Sequence, residues 1–188
     1  MSDLQLDPAR TALLVMDYQT GIIENFDKDG SLLARTTSLV QAARAAGLRI
    51  VFVKVGFRPG YPEVSPNNKM FSHIKSIGRL QDSVLCPGLA EPTDVVVTKH
   101  RVGSFHGTDL DMVLRANGID TLVLAGIATS GVVLSTLRHG SDLDYRCIVV
   151  RDCCADGNAA AQDTLMTAVF PMQAAVTDAA GVTAALTK

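Results

Sequence analysis

Short segments rich in valine, isoleucine and leucine recur along the chain, separated by stretches with helical spacing. The clearest apolar segments are Thr11–Met16, Arg49–Val55 and Thr121–Ile127. They are apolar at nearly every position rather than at alternate ones, which is typical of parallel strands covered by helices on both faces. Between the first two, Leu32–Ala46 has apolar residues at helical spacing, and Gly47 follows where a helix-ending glycine belongs. Repeated strand–helix alternation predicts an α/β fold, a three-layer, doubly wound, mostly parallel sheet of Rossmann-like type.

The remaining elements complete a six-stranded sheet. Further strands are predicted at Asp94–Thr98, Arg146–Val150 and Ala174–Thr177. Four further helices are predicted. One runs from a cap at Thr108 or Asp109 to Asn117, and the next begins at about Gly131. The other two cover Ala159–Val169, after a cap at Asn158, and Gly181–Leu186. The stretch Gly56–Pro92 contains five prolines and is predicted to be a long irregular excursion over the surface.

Composition excludes several classes of protein. The chain has 188 residues, of which 47% are hydrophobic and 19% charged, with a formal net charge of -2. This balance predicts a single domain over residues 1–188 with one large core. There is no basic patch, so nucleic acid is not an expected partner. No apolar run approaches the roughly 20 residues that span a bilayer, and the polar N-terminus does not resemble a signal peptide, so we expect a cytoplasmic protein without membrane contact.

The cysteines do not suggest a metal site. Cys86, Cys147, Cys153 and Cys154 form no C-x-x-C pair and no Cys/His cluster. The sequence also lacks G-x-G-x-x-G after the first strand and has no G-x-x-x-x-G-K-[ST] motif. We therefore predict reduced, structural thiols and neither a metal nor a cofactor.

Candidate site residues stand where predicted strands end. Asp17 follows the first strand, Lys99 the third, and the turn Ala128–Gly131 the fourth. Ligands of open parallel sheets bind outside the carboxyl ends of the strands, so these segments can converge. Taken alone, Asp17 could start a turn and Lys99 could be a solvated strand end. Together they can form a partly buried pair in which each shifts the pKa of the other.

The turn after the fourth strand can act in two ways. Backbone N–H groups at the start of a helix favour negative charge, so they can serve as the donors of an oxyanion hole. Alternatively, Thr129 or Ser130 only caps the helix.

Three segments in this order, LLVMDYQ, VVVTKHRVGSF and LVLAGIATSGVVLSTLR, resemble the isochorismatase-like hydrolase family, from about Thr11 to Thr177. The resemblance implies an isochorismatase-like fold and an active site with Asp17 and Lys99. It places the nucleophilic cysteine of the amidase members on Val132. It further implies a cis peptide between Ile127 and Ala128, with an oxyanion hole built from the amides of Ala128 and Val132.

Valine cannot attack a carbonyl carbon, so several functions remain open. The first is hydrolysis of a small organic molecule with Asp17 as general acid or base and Lys99 as its electrostatic partner. The second is a catalytically silent protein that binds a small molecule or assembles with others on the same fold. The third is an amidase in which Ser130 or Ser135 replaces the cysteine.

The residues after the second strand bear on specificity. Phe57 and Arg58 could line the mouth of a pocket, and Arg58 could bind a substrate carboxylate; packing within the loop is the alternative. The Asp-x-His ligands that nicotinamidases carry here are missing from VKVGFRPGYPEVSP. The resemblance also implies a homo-oligomer.

Overall fold

A computed structural model describes residues 4–186, and within them the strands form a six-stranded sheet in which all neighbouring strands run parallel. The strands are β1 Thr11–Met16, β2 Arg49–Val55, β3 Val95–Lys99, β4 Thr121–Ile127, β5 Arg146–Ala155 and β6 Ala174–Thr177. Their order is β3-β2-β1-β4-β5-β6. The chain builds outward from β1 to β3 and then crosses to β4 on the other side of β1. Ligands of doubly wound sheets bind at such a switch point, here the carboxyl ends of β1 and β4.

Helices cover both faces of the sheet. They are α1 Ser31–Ala45, α2 Lys69–Ser76, α3 Leu110–Ala116, α4 Leu134–Asp142, α5 Ala159–Thr164 and α6 Ala179–Leu186. Leu13 of β1 belongs to a buried cluster shared with α1 and α6, whereas its neighbour Leu14 belongs to one shared with α3 and α4. Successive side chains of a strand point to opposite faces, so a sheet covered twice needs apolar residues at every position. The predicted fold class and its three layers are confirmed.

The excursion Gly56–Pro92 contains a helix that the sequence analysis did not predict. Asn68 caps α2, because its side chain accepts a hydrogen bond from the Phe71 N–H at 3.1 Å. The helix has only eight residues and lies within a stretch rich in prolines, which favour loops. The prediction of an irregular stretch was therefore wrong at α2.

Other boundaries differ by smaller amounts. Strand β5 extends five residues past the predicted Val150 because its register with β4 shifts between Leu124 and Gly126. The helix predicted from about Gly131 begins as a π-helical turn over Thr129–Val133, and α4 follows it. Strand β3 lies one residue later than predicted, and α6 begins two residues earlier.

Gly126 permits close contact between β4, β1 and the turn after β4. A Cβ atom at this position would lie 3.0 Å from Val133 Cγ2 and 3.2 Å from Met16 Cβ. We expect Gly126→Ala to lower the free energy of unfolding by about 1–3 kcal/mol, the usual cost of overpacking, as measured by urea denaturation. Gly157→Ala is the matched control because its Cβ would meet nothing within 4 Å. Equal losses in the two variants would contradict this account.

Candidate active site

Asp17 is fixed where β1 ends. Its backbone is left-handed, with φ of 61°, a conformation that aspartate tolerates better than most residues. The Asp17 N–H donates to the Val53 carbonyl at 2.8 Å, and the Asp17 carbonyl accepts from the Gln19 N–H at 2.8 Å. Gln19 is itself buried, and its amide oxygen accepts the Val55 N–H at 2.7 Å while its amide nitrogen donates to the Val55 carbonyl at 2.9 Å. These bonds hold the segment after β1 against the end of β2.

Lys99, the last residue of β3, meets Asp17 across the end of β2. Its ammonium Nζ lies 2.9 Å from Asp17 Oδ2, and the side chains are 2% and 8% exposed. Nζ also donates to the carbonyl of Arg101 at 3.1 Å and to that of Val102 at 3.0 Å. The three ammonium protons therefore have three acceptors, and the structure brings the two predicted residues together as a buried ion pair.

Asp17 has an unusual electrostatic environment. Burial raises the pKa of its carboxyl group, and the nearby Lys99 charge opposes this rise without cancelling it. The second carboxylate oxygen, Oδ1, is buried, and no hydrogen-bond partner for it exists among residues 4–186. A buried polar atom without a partner costs free energy, so a ligand that supplies one would be stabilised there.

The turn after β4 presents its backbone at the same end of the sheet. The peptide bond between Ile127 and Ala128 is cis, as the resemblance implies. The Ala128 carbonyl accepts from the Gly131 N–H at 3.1 Å and from the Val133 N–H at 3.4 Å. No side chain of the turn itself caps it; Asp156 instead accepts the Ser130 N–H at 2.7 Å. Although burial opposes ionisation of Asp156, the hydrogen bonds from Ser130 lower its pKa.

These elements line a cavity of about 180 Å³ that is partly open to solvent. Asp17, Lys99, Ala128 and Val132 all line it, so the residues singled out from three separate segments converge on one space. Val132 is only 2% exposed. The rest of the lining comes from β2, α2 and the loops, namely Val55, Met70, Phe71, Ile74, Leu80, Val102 and Gly131. The contribution of α2 was not foreseen, although Met70, Phe71 and Ile74 have the spacing of one helix face.

Phe57 and Arg58 lie outside the described lining of this cavity. Phe57 is buried and packs edge-on against Phe71 of α2, with ring centroids 5.2 Å apart. This contact helps to hold α2 in place. The Arg58 side chain is 68% exposed and pairs with Glu63 at 2.6 Å. A role for either residue in substrate binding stays a prediction.

The alternative nucleophiles are placed as follows. Ser130 is exposed and Ser135 half-buried, and neither belongs to the cavity lining found within residues 4–186. All four cysteines are free and buried. Burial raises the pKa of Cys147 to about 12, and burial is also the main cause that raises the pKa of Cys153 to about 11, so these thiols stay protonated near neutral pH.

A larger space of about 530 Å³ lies at the opposite end of the strands, near Arg49 and Val95. Its arginines already have partners, because Arg44 pairs with Asp94 at 2.5 Å and Arg49 donates to Asn117 at 2.6 Å. Across residues 4–186, no group of three or more His, Cys, Asp or Glu side chains is arranged to hold a metal ion. In the same part of the chain, every helix is too short or too polar to cross a membrane.

Known proteins of one family are similar to this chain over most of its length. The isochorismatase domain model matches residues 11–181. The ureidoacrylate amidohydrolase RutB of Methylobacterium radiotolerans is 36% identical, over 79% of this chain and 68% of that protein. The uncharacterized isochorismatase family protein YwoC of Bacillus subtilis is 34% identical over 91% of each chain. The structure of an isochorismatase family protein from Burkholderia thailandensis superposes with a TM-score of 0.84, at 35% identity and 98% coverage of both chains.

Proposed function

The chain belongs to the isochorismatase family of hydrolases, and on that premise we propose that Asp17 is its general acid or base and Lys99 the electrostatic partner of Asp17. The substrate is a small organic molecule bound in the cavity that both residues line. The observation that carries the proposal is the buried Asp17 carboxylate, which is paired with Lys99 through Oδ2 and has no partner at Oδ1 among the described residues. Perturbed carboxylates of this kind are typical of proton-transfer sites.

An amide provides the simplest reaction, since the relative from Methylobacterium radiotolerans is named an amidohydrolase. The oxygen of a water molecule bonds to the carbonyl carbon while one water proton passes to Asp17. Asp17 then delivers that proton to the nitrogen as the C–N bond breaks, leaving a carboxylic acid and ammonia or an amine. Lys99 stabilises the ionised form of Asp17 before the first transfer and after the second. The amides of Ala128 and Val132 are our proposed donors to the oxyanion.

Water, rather than a side chain, is the proposed nucleophile. Val132 occupies the position that the resemblance assigns to the cysteine, and its side chain has no group that could form an acyl-enzyme. Ser130 and Ser135 are not part of the described cavity lining, which favours water over either serine. A vinyl ether is the other chemistry that this arrangement supports, with protonated Asp17 as the acid. A screen of ammonia release alongside vinyl-ether cleavage would find the substrate.

The pH profile tests the partnership of the two residues. Burial raises the pKa of Asp17, so the limb of kcat/KM that it controls should lie above the pH of about 3.9 at which a free aspartate titrates. The positive charge of Lys99 lowers this pKa, so Lys99→Met should move the limb to higher pH. The direction is the same whether Asp17 acts as base or acid, because in both cases the limb follows its pKa.

Lys99→Arg is the control for this shift, since it keeps the positive charge and should leave the limb near its original pH. A limb that stays in place in Lys99→Met, or moves to lower pH, would contradict the proposed partnership. Three further predictions stay proposals: a single domain over residues 1–188, a homo-oligomer and a cytoplasmic location.

A further inference from the structure

The cavity has almost no polar character beyond the ion pair. Eight of its lining side chains are apolar: Val55, Met70, Phe71, Ile74, Leu80, Val102, Ala128 and Val132. Its charged lining residues are Asp17 and Lys99, whose opposite charges lie 2.9 Å apart. The space offered to a ligand is therefore apolar and close to neutral overall.

Lys99 has no proton left for an anionic ligand. Its ammonium group has three N–H donors, which face Asp17 Oδ2 and the carbonyls of Arg101 and Val102. A substrate carboxylate in this cavity would have to displace one of these acceptors. It would otherwise be buried without a donor, which is costly for a charged group.

The arginines of the surrounding loops are also engaged. Arg58 pairs with Glu63 at 2.6 Å. Arg101 donates to the His100 carbonyl at 2.6 Å and to the Glu63 carbonyl at 3.1 Å, and Arg79 donates to the Gly21 carbonyl at 2.5 Å. None of these arginines lines the cavity in the described part of the chain, so none compensates a buried negative charge there.

One atom of the site is nevertheless left without a polar partner in the described part of the chain. Asp17 Oδ1 is buried without a partner within residues 4–186, and a ligand N–H or O–H would satisfy it. The volume of about 180 Å³ is below the roughly 300–1,000 Å³ usual for small-molecule sites, so the part of the ligand that the site holds is small.

From these features we infer that the substrate is a small uncharged molecule with an apolar body and one hydrogen-bond donor directed at Asp17, such as a primary amide of a short carboxylic acid. Molecules that place a carboxylate against this apolar lining should bind more weakly. This inference rests on the proposed function, since it concerns the same cavity. It differs from a substrate class in which an arginine or lysine anchors an anionic tail.

Binding of two amides of matched length tests the inference. Butyramide has a methyl group where succinamate has a carboxylate, and both have the same primary amide. Dissociation constants measured by NMR titration at neutral pH should favour butyramide by at least about tenfold, which corresponds to roughly 1.4 kcal/mol. Equal affinities, tighter binding of succinamate, or binding of neither amide would overturn the inference.

Two variants show whether the missing cation decides the preference. Met70 lines the cavity and is 49% exposed, so Met70→Arg adds a positive charge at the solvent side of the site with little risk to folding. We expect it to strengthen succinamate binding by about tenfold. Met112→Arg on α3 is the matched control, since Met112 is 69% exposed and outside the described lining, and it should change neither affinity.

Turnover separates this inference from the proposed function. If the protein binds butyramide selectively but hydrolyses no amide or vinyl ether, the inferred ligand class holds and the proposed catalysis fails. If it hydrolyses an anionic substrate with a rate that depends on Asp17, the catalysis holds and the substrate class is wrong.

Discussion

Replacing Asp17 with asparagine should reduce kcat on the true substrate by about 10²–10⁴, the contribution usual for a positioned acid or base. Asparagine has nearly the same shape, so the cavity keeps its volume, but the amide neither takes a proton from water nor gives one to the leaving atom. The change also leaves the Lys99 ammonium buried without its counter-ion, and breaking a buried pair typically costs about 3–5 kcal/mol of stability. Rates must therefore be compared at a temperature where circular dichroism shows both proteins folded.

Two further variants separate catalysis from stability. Asp82→Asn makes the same chemical change on an exposed residue of the loop after α2 and should leave kcat unchanged. Combining Asp17→Asn with Lys99→Met removes both charges, so it should recover part of the lost stability and none of the lost activity. A folded Asp17→Asn variant with wild-type turnover would rule out the proposed role. A wild-type protein that binds but never turns over would favour the silent binding protein.

The sheet could be predicted because its strands are buried on both faces. The bounds of β1, β2, β4 and β6 agree with the sequence prediction, and each strand is followed by a glycine, a helix cap or a polar turn. Strand β5 was cut short because Arg151 and Asp152 interrupt its apolar run, although Cys153 and Cys154 beyond them are buried again. Such a continuation depends on the register shift with β4, which is a tertiary feature.

The proposed catalytic pair could also be located from the sequence, since the carboxyl ends of parallel strands share one edge of the sheet. What surrounds the pair could not. Asp156 caps the turn after β4 from a position 26 residues away, where the sequence analysis considered Thr129 or Ser130 as the cap. Likewise, Arg58 pairs with Glu63 and does not belong to the described cavity lining. No local sequence pattern predicts this pairing.

Restoring a cysteine at position 132 tests whether this is the nucleophile position. Val132 lines the cavity with Asp17 and Lys99 and lies in the first turn of a helix. A thiol there would lie in the first turn of a helix and on the same cavity as the Lys99 ammonium, and both features lower a thiol pKa, from about 8.5 into the range of roughly 3.5–7.5 in activated sites. We expect Val132→Cys to react with iodoacetamide at neutral pH at least about tenfold faster than any native thiol, since each pKa unit is tenfold in thiolate.

The native thiols and the neighbouring position supply the comparison for this variant. Cys147, with a pKa of about 12, and Cys153, with one of about 11, are buried and should remain unlabelled in the folded protein. Val133→Cys places the same group one residue further on, where the side chain is fully buried against β4 and outside the described lining. Intact mass should show one fast label in Val132→Cys and none in Val133→Cys. With an amide substrate, only the first variant should also accumulate an acyl adduct, because only there does a thiol have Asp17 to accept its proton. Equal labelling of the two variants would mean that the turn does not activate a nucleophile at 132, and the correspondence drawn from the family would fail.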